Sequence, residues 1–198
     1  LKMSRIEEKT KIMNKQSIRK EVFARRKQVT KDFLEFNSEI IAEKVIEDKE
    51  YQKASSIFVY SDIRGEVATK SITNHAFSTG KKVCFPKILE MEAGKMSFYQ
   101  VDDTGELEEG IMGILEPKTT KCFDEYTEDA VIIVPIVGFD KQCYRVGYGG
   151  GFYDRYLRKY KFKSVIGIAF DFQCLEIDKI DEYDYKLEKI LTETSIYG

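Results

Sequence analysis

The chain has 198 residues, 42% hydrophobic and 33% charged, with a formal net charge of −2. That length and composition fit one globular domain with its own core. The balanced charge gives no electrostatic case for general affinity to nucleic acid or membrane surfaces, and no apolar run approaches the roughly 20 residues that span a bilayer or has the form of a secretory h-region. Residues 1–12, "LKMSRIEEKTKI", lack an apolar stripe and are expected to be an extension, with the folded domain over 13–198. From Lys15 to about Glu47 the pattern is helical, with Ile18, Val22, Phe33, Ile40, Ile41 and Val45 facing inward. A break near "VTKDF" divides it into two helices. "SSIFVY" predicts a strand, "VATKSITNHAFSTG" a helix ending at Gly80, and "KVCFP" a strand stopped by Pro86. "KMSFYQV" alternates as a strand does, and "LEEGIMGILEP" reads as a loop with one apolar patch. "AVIIVPIVGFD" has the continuous apolar character of a strand covered on both faces. A helix over about 151–160, a strand "SVIGIAF" and a last strand around "EKILTETSI" complete the chain. Helices alternating with buried strands predict an α/β fold layered on a mostly parallel sheet, without repeats or linkers.

The residue inventory narrows the chemistry. Cys84, Cys122, Cys143 and Cys174 are widely spaced and form no C-x-x-C pair, so reduced thiols are expected and a zinc site is not. The one histidine, His75, falls near the end of a predicted helix, where it serves packing or the surface. That scarcity excludes multi-histidine metal sites and most triad chemistry, and a reaction without a histidine base is expected.

Four glycines cluster in "RVGYGGGFYDRYL", between the most apolar strand and a helix. Gly147, Gly149 and Gly151 form G-x-G-x-G, with Gly150 in addition. Glycines permit positive φ and let successive amides converge on an anion, and the helix start that follows adds free N–H groups. The segment is neither a Walker loop, since no Lys-Ser/Thr closes it, nor a dinucleotide fingerprint, since Phe152 stands where the third spaced glycine belongs. An anion cradle and a tight turn satisfy the pattern equally. Asp154, in the first turn of the predicted helix, suits a magnesium ligand beside phosphates or a simple dipole-pairing charge. Arg145 suits bidentate anion binding or an ordinary surface position. Lys15 and Arg19 lie four apart on one helix face, where they form a polyphosphate contact or a solvated basic face. Glu66 follows the first strand by a few residues, at the end where α/β sheets gather ligands, and Asp184 precedes the last predicted strand.

Together, "KQSIRKE", "GEVAT", "VGFDKQCYRVGYGGGFYDRYL" and the "D…LEKILTE" ending resemble the 5-formyltetrahydrofolate cyclo-ligase family, also called 5,10-methenyltetrahydrofolate synthetases. The motifs run in the family's order from about residue 14 onward. The resemblance implies a three-layer α/β/α sandwich and a cytoplasmic, monomeric enzyme. It also implies a reaction that spends ATP, with Mg2+, to convert 5-formyltetrahydrofolate into 5,10-methenyltetrahydrofolate, releasing ADP and phosphate. Its partner is then the small folate, with or without a polyglutamate tail, and neither nucleic acid nor membrane. By position, the resemblance assigns ATP to Lys15, Arg19, Arg145, Val146, Gly147, Tyr148, Gly149, Gly150, Gly151, Phe152 and Tyr153. It assigns folate to Ser61, Glu66 and the Tyr148–Phe152 stretch, magnesium to Asp154 and Asp184, and the catalytic charges to Arg145 and Lys15. This chain departs from many relatives in carrying Tyr148 and Gly150 at variable loop positions where a basic residue is common. It also has Tyr183 where a histidine often precedes the late aspartate. Two readings of other classes remain beside it: a non-catalytic folate- or nucleotide-binding module, and another phosphate-handling α/β enzyme such as a sugar-phosphate isomerase or CoA transferase.

Overall fold

A computed structural model describes residues 12–125 and 127–198; the first eleven residues of the expected extension lie outside them. Ile12, also assigned to the extension, is already in a short strand, β1 (Ile12–Met13), which leads into helix α1 (Lys15–Arg26). Asn14 caps α1, its Oδ1 accepting from the Ser17 N–H at 2.9 Å. Helix α2 (Lys31–Glu47) starts afresh at Thr30, whose Oγ1 accepts from the Phe33 N–H at 3.2 Å, so the break near "VTKDF" is a helix cap. Then follow α3 (Lys49–Lys53), β2 (Ser56–Phe58), α4 (Lys70–Ser78), β3 (Lys82–Glu90) and β4 (Lys95–Val101). The middle of the chain supplies β5 (Leu107–Glu109), β6 (Leu115–Pro117), β7 (Ala130–Pro135), β8 (Gly138–Phe139) and β9 (Arg145–Val146). Helix α5 (Phe152–Lys159), β10 (Ser164–Ile168), β11 (Glu176–Ile177), β12 (Lys189–Leu191) and β13 (Ile196–Tyr197) finish it.

Seven strands form the central sheet in the order β13-β12-β10-β7-β2-β3-β4. Pairing is parallel from β12 through β3, and only the edge strands β13 and β4 run antiparallel. Side chains along β7 divide between two cores. Val131 and Ile133 join residues of α2, α3 and α4, while Ala130, Ile132 and Val134 join Tyr156 and Leu157 of α5. A strand read as apolar throughout is thus apolar because both faces are covered, which makes the three layers expected from the sequence. Each large side chain sealed there contributes about 1.5–3 kcal/mol of transfer free energy.

Two expectations are corrected. β3 is not stopped at Pro86: it continues to Glu90, with Pro86 opposite Phe98 of β4. Pairing with β2 ends at Cys84, and the Ile88 N–H, which shares its direction with the Pro86 nitrogen, goes to the Glu116 carboxylate rather than to β4. A proline on that unladdered side forfeits no sheet hydrogen bond. The segment read as a loop in "LEEGIMGILEP" is the β5–β6 hairpin, its ends paired Leu107 with Pro117 and Glu109 with Leu115.

The chain order places the functional crevice. From β2 the chain moves by way of α4 to β3, toward one edge of the sheet. From β7 it moves through α5 to β10 and β12, toward the other. Neighbouring strands whose connections diverge leave a gap beyond their carboxyl ends, where open α/β sheets bind ligands.

Candidate functional site

Three segments meet at that gap. Following β2, Ser61–Thr69 is held by Asp62, whose Oδ1 accepts from both the N–H and the hydroxyl of Thr69 at 2.9 and 3.0 Å. Arg64 and Gly65 both have positive φ, 50° and 72°, and the Glu66 N–H closes the turn onto the Ile63 carbonyl at 3.0 Å. The turn buries Glu66. One oxygen, Oε2, accepts from the Ile63 N–H at 3.0 Å, whereas Oε1 is buried with no partner. Desolvation pushes the Glu66 carboxyl up to about 7, and the Ile63 hydrogen bond, the Arg26 charge and the nearby Tyr148 hydroxyl pull against it.

The second segment is the glycine loop. β8 and β9 pair as a hairpin whose turn is fixed by Asp140, which accepts from the N–H groups of Gln142 and Tyr144, each at 3.0 Å. β9 carries Arg145 inward. Its Nη2 donates to Asp154 Oδ1 at 3.0 Å, its guanidinium lies over the Tyr153 ring, and its Nε is buried without a partner. Of the two sequence readings of Arg145, the surface one fails: its side chain is 3% exposed. Gly149 and Gly151 take φ values of 111° and 66°, the latter at the N-cap of α5. No side chain caps that helix, so its first-turn N–H groups are left as free donors at the cavity wall.

The third segment is α1. The Lys15 Nζ donates to Asp181 Oδ2 at 2.8 Å and to Asp184 Oδ1 at 2.7 Å, while the Arg19 Nε donates to the Gly147 carbonyl at 2.7 Å. Burial alone would lower the Lys15 pKa, but the two carboxylates outweigh it and raise it; burial lowers that of Arg19. Neither residue belongs to a simply solvated basic face.

These segments enclose a cavity of about 1140 Å3. Small-molecule pockets run to roughly 300–1,000 Å3, so this one has room for more than one ligand. Every residue that the sequence assigned to ligand or metal lines it: Lys15, Arg19, Ser61, Glu66, the whole Arg145–Asp154 run and Asp184. The β3–β4 hairpin and the β6 segment add a mainly apolar lining of Pro86, Ile88, Met91, Met96 and Ile114, with the buried Glu116 carboxylate among them. His75 stands apart, its Nδ1 3.1 Å from the Tyr51 hydroxyl in a packing role. All four cysteines are free thiols. Among the described residues no helix is long and apolar enough to cross a membrane.

Comparison with known proteins matches residues 11–193 to the 5-formyltetrahydrofolate cyclo-ligase family. The chain belongs to that family. A Schizosaccharomyces pombe protein named as a probable 5-formyltetrahydrofolate cyclo-ligase is 31% identical over 172 residues, covering 79% of this chain and 83% of its own length. The Escherichia coli 5-formyltetrahydrofolate cyclo-ligase is 29% identical over 147 residues, 73% of this chain and 81% of the relative. The solved Aquifex aeolicus 5,10-methenyltetrahydrofolate synthetase superimposes with a TM-score of 0.79 at 27% identity, covering 93% of this chain and 92% of that one.

The cyclo-ligase cavity also contains residues that the sequence reading passed over. Arg155 and Arg158, three apart on α5, line it. The Arg155 Nη2 donates to the Gly150 carbonyl and its Nε to the Gly94 carbonyl at 3.3 Å, tying the loop to the β3–β4 hairpin. They bring guanidinium groups beside the glycine loop. Arg158 donates to the Glu182 carbonyl and lies over the Tyr183 ring. Arg26, buried in the last turn of α1, donates from Nη1 to the Tyr148 hydroxyl at 3.1 Å and from Nη2 to the Ile136 carbonyl at 2.8 Å. A signal for it existed: Lys15, Arg19 and Arg26 follow the i, i+4, i+11 spacing of a single helix face.

Proposed function

We propose that this cyclo-ligase uses ATP to activate the formyl oxygen of 5-formyltetrahydrofolate, with both ligands in the one cavity. The convergence of Lys15, Arg19, Arg145 and the uncapped start of α5 with the unpartnered buried oxygen of Glu66 carries this reading. The cations and loop amides suit a polyphosphate. A buried carboxylate suits the N–H donors of a pterin ring, with Ser61 beside it and Tyr148–Phe152 flanking the rest of the folate. The free thiols fit the reducing cytoplasm that the resemblance implies.

An N-formyl group is an amide, and its oxygen leaves poorly. In the proposed sequence that oxygen attacks the γ-phosphorus of ATP, forming one O–P bond while the bond to ADP breaks. N10 of the folate then attacks the formyl carbon and loses its proton. The C–O bond breaks with its electron pair on oxygen, and inorganic phosphate departs. Both nucleophiles belong to the substrate, so the protein needs no serine, cysteine or histidine nucleophile. Its task is to position the reactants and to hold positive charge where phosphoryl charge develops, which falls to Arg145 and Lys15.

Asp154 and Asp184 fit a Mg2+ ion, which takes one or two carboxylates and fills its other positions with phosphate oxygens and water. When bound, the ion would neutralise phosphate charge. The same carboxylates hold Arg145 and Lys15 in place, so phosphate entering the cavity takes over cations that are already ordered. The test is the appearance of methenyl-folate absorbance only when 5-formyltetrahydrofolate, ATP and Mg2+ are present together. Product formed at the same rate without ATP would overturn the proposal.

A further inference from the structure

Arg26 touches three parts of the site and belongs to none of the groups assigned above. Its guanidinium donates to the carbonyl of Ile136, just beyond β7, and to the hydroxyl of Tyr148 in the glycine loop. Its aliphatic stem lies under the Glu66 turn: a Cβ built on Gly65 would sit 3.6 Å from the Arg26 Cβ. Its Nε is buried and unpartnered. Glu66 is faced by Arg26 from α1, Asp62 and Tyr60 from the β2 side, Tyr148 from the loop and Tyr153 from α5. Arg26 supplies the positive charge in that set. Tyr148 also packs its ring on Phe23, one turn before Arg26, at 5.6 Å between centroids.

We infer that Arg26 is the positioning residue for the folate half of the site, binding Tyr148 and the Glu66 turn into one clamp while Lys15, Arg19 and Arg145 serve the phosphates. This rests on Glu66 and Tyr148 facing folate, as proposed above. Without Arg26 the Tyr148 hydroxyl loses its donor, and the loop is left with the Arg19–Gly147 hydrogen bond and the Phe23–Tyr148 ring contact as its ties to α1. Glu66 loses its counter-charge, and a neutral carboxyl accepts the two pterin N–H groups less well than a carboxylate does.

The test measures binding of 5-formyltetrahydrofolate alone and of ATP alone to the full chain by calorimetry, from pH 6 to 9. Arg26→Met is expected to weaken folate binding by roughly tenfold or more, about the loss of one charge-assisted hydrogen bond. ATP affinity should stay within about twofold, and the pH midpoint of folate binding should move upward. Arg26→Lys restores the charge and recovers the midpoint more fully than the affinity. Parallel loss of both affinities, or a weakened folate affinity with an unmoved midpoint, would show a merely structural arginine and overturn the inference. If Arg26→Met does not melt cooperatively, Tyr148→Phe replaces it. Loss of folate affinity with ATP affinity kept supports the clamp, and unchanged folate affinity overturns it. Glu66→Gln separates the two proposals. If it leaves folate affinity intact, the folate assignment fails and the clamp with it. If it weakens folate while the Arg26 and Tyr148 variants bind normally, only the clamp fails.

Discussion

Arg145 carries its charge to a place where only 3% of its side chain meets solvent, and the carboxylate that answers it, Asp154, is 23% exposed. Asp154 has a second donor in the Tyr185 N–H at 3.3 Å, whereas the Arg145 Nε has no acceptor. An unpaired donor on a buried cation is a costly feature unless a ligand completes it. Removing one member of a buried pair typically costs about 3–5 kcal/mol. Water reaching Asp154 reduces that, so Arg145→Ala should cost about 2–3 kcal/mol and lower Tm by roughly 5–10 °C in a domain of this size. Its KM for ATP should rise by roughly tenfold or more. Arg145→Lys keeps the charge but not the fork and should recover stability better than it recovers KM. Thermal melts with initial rates check this, and a folded variant with the unaltered KM would remove Arg145 from the phosphate role. The local sequence left the arginine equally at home on the surface, because its burial comes from the Gly138–Val146 hairpin pairing and from α5, neither of which is encoded beside it.

At the level of elements, α1 is the part on which the rest of the site depends. Ile18 and Val22 are fully buried in a cluster with Val137, Val146 and Ile177, and the adjacent face bears Lys15, Arg19 and Arg26. The helix approaches β8 closely because position 138 has no side chain: a Cβ there would clash with Ile18 Cγ2. Both partners are buried, so neither yields without moving the helix. Gly138→Ala should therefore cost about 1–3 kcal/mol through overpacking. It should weaken ATP and folate binding together, since all three cations ride on the helix. Melting curves and separate binding isotherms distinguish this from Arg26 variants; a loss confined to one ligand would contradict the rigid-helix account. The Lys15–Arg19 pair was legible because helical period is a local property, and Arg26 was missed because the spacing was followed for one turn only. Pro86 misled for a related reason. A proline ends a strand only where its missing N–H was needed, and that depends on which neighbours the strand has at that point.

For the whole molecule, the layered sheet could be read from alternating helices and apolar strands, and the crevice beyond the strand ends follows from that class of fold. What could not be read was which side chains meet there. Lys15 and Asp184 are 169 positions apart and Arg26 and Tyr148 are 122 apart. Such pairs are brought together by the reversal of connection direction between β2 and β7, not by any local pattern. The same geometry governs how ligands act on stability. α1, the turn after β2, the glycine loop and the start of α5 together line this cavity, so the site exists only in the folded chain. Binding exclusively to the folded state stabilises by about 2.7 kcal/mol at 100 times Kd, which in a chain of this size corresponds to a rise in Tm of roughly 5–10 °C. ATP and 5-formyltetrahydrofolate should each produce that rise alone at such concentrations. Since both ligands are proposed to contact the glycine loop, the affinity of either should increase when the other is present, provided a non-hydrolysable ATP analogue prevents turnover. Scanning calorimetry with each ligand, then both, measures this. Independent, strictly additive stabilisation would mean that the glycine loop is already as ordered without ligand as with it, and that the two halves of the cavity act separately.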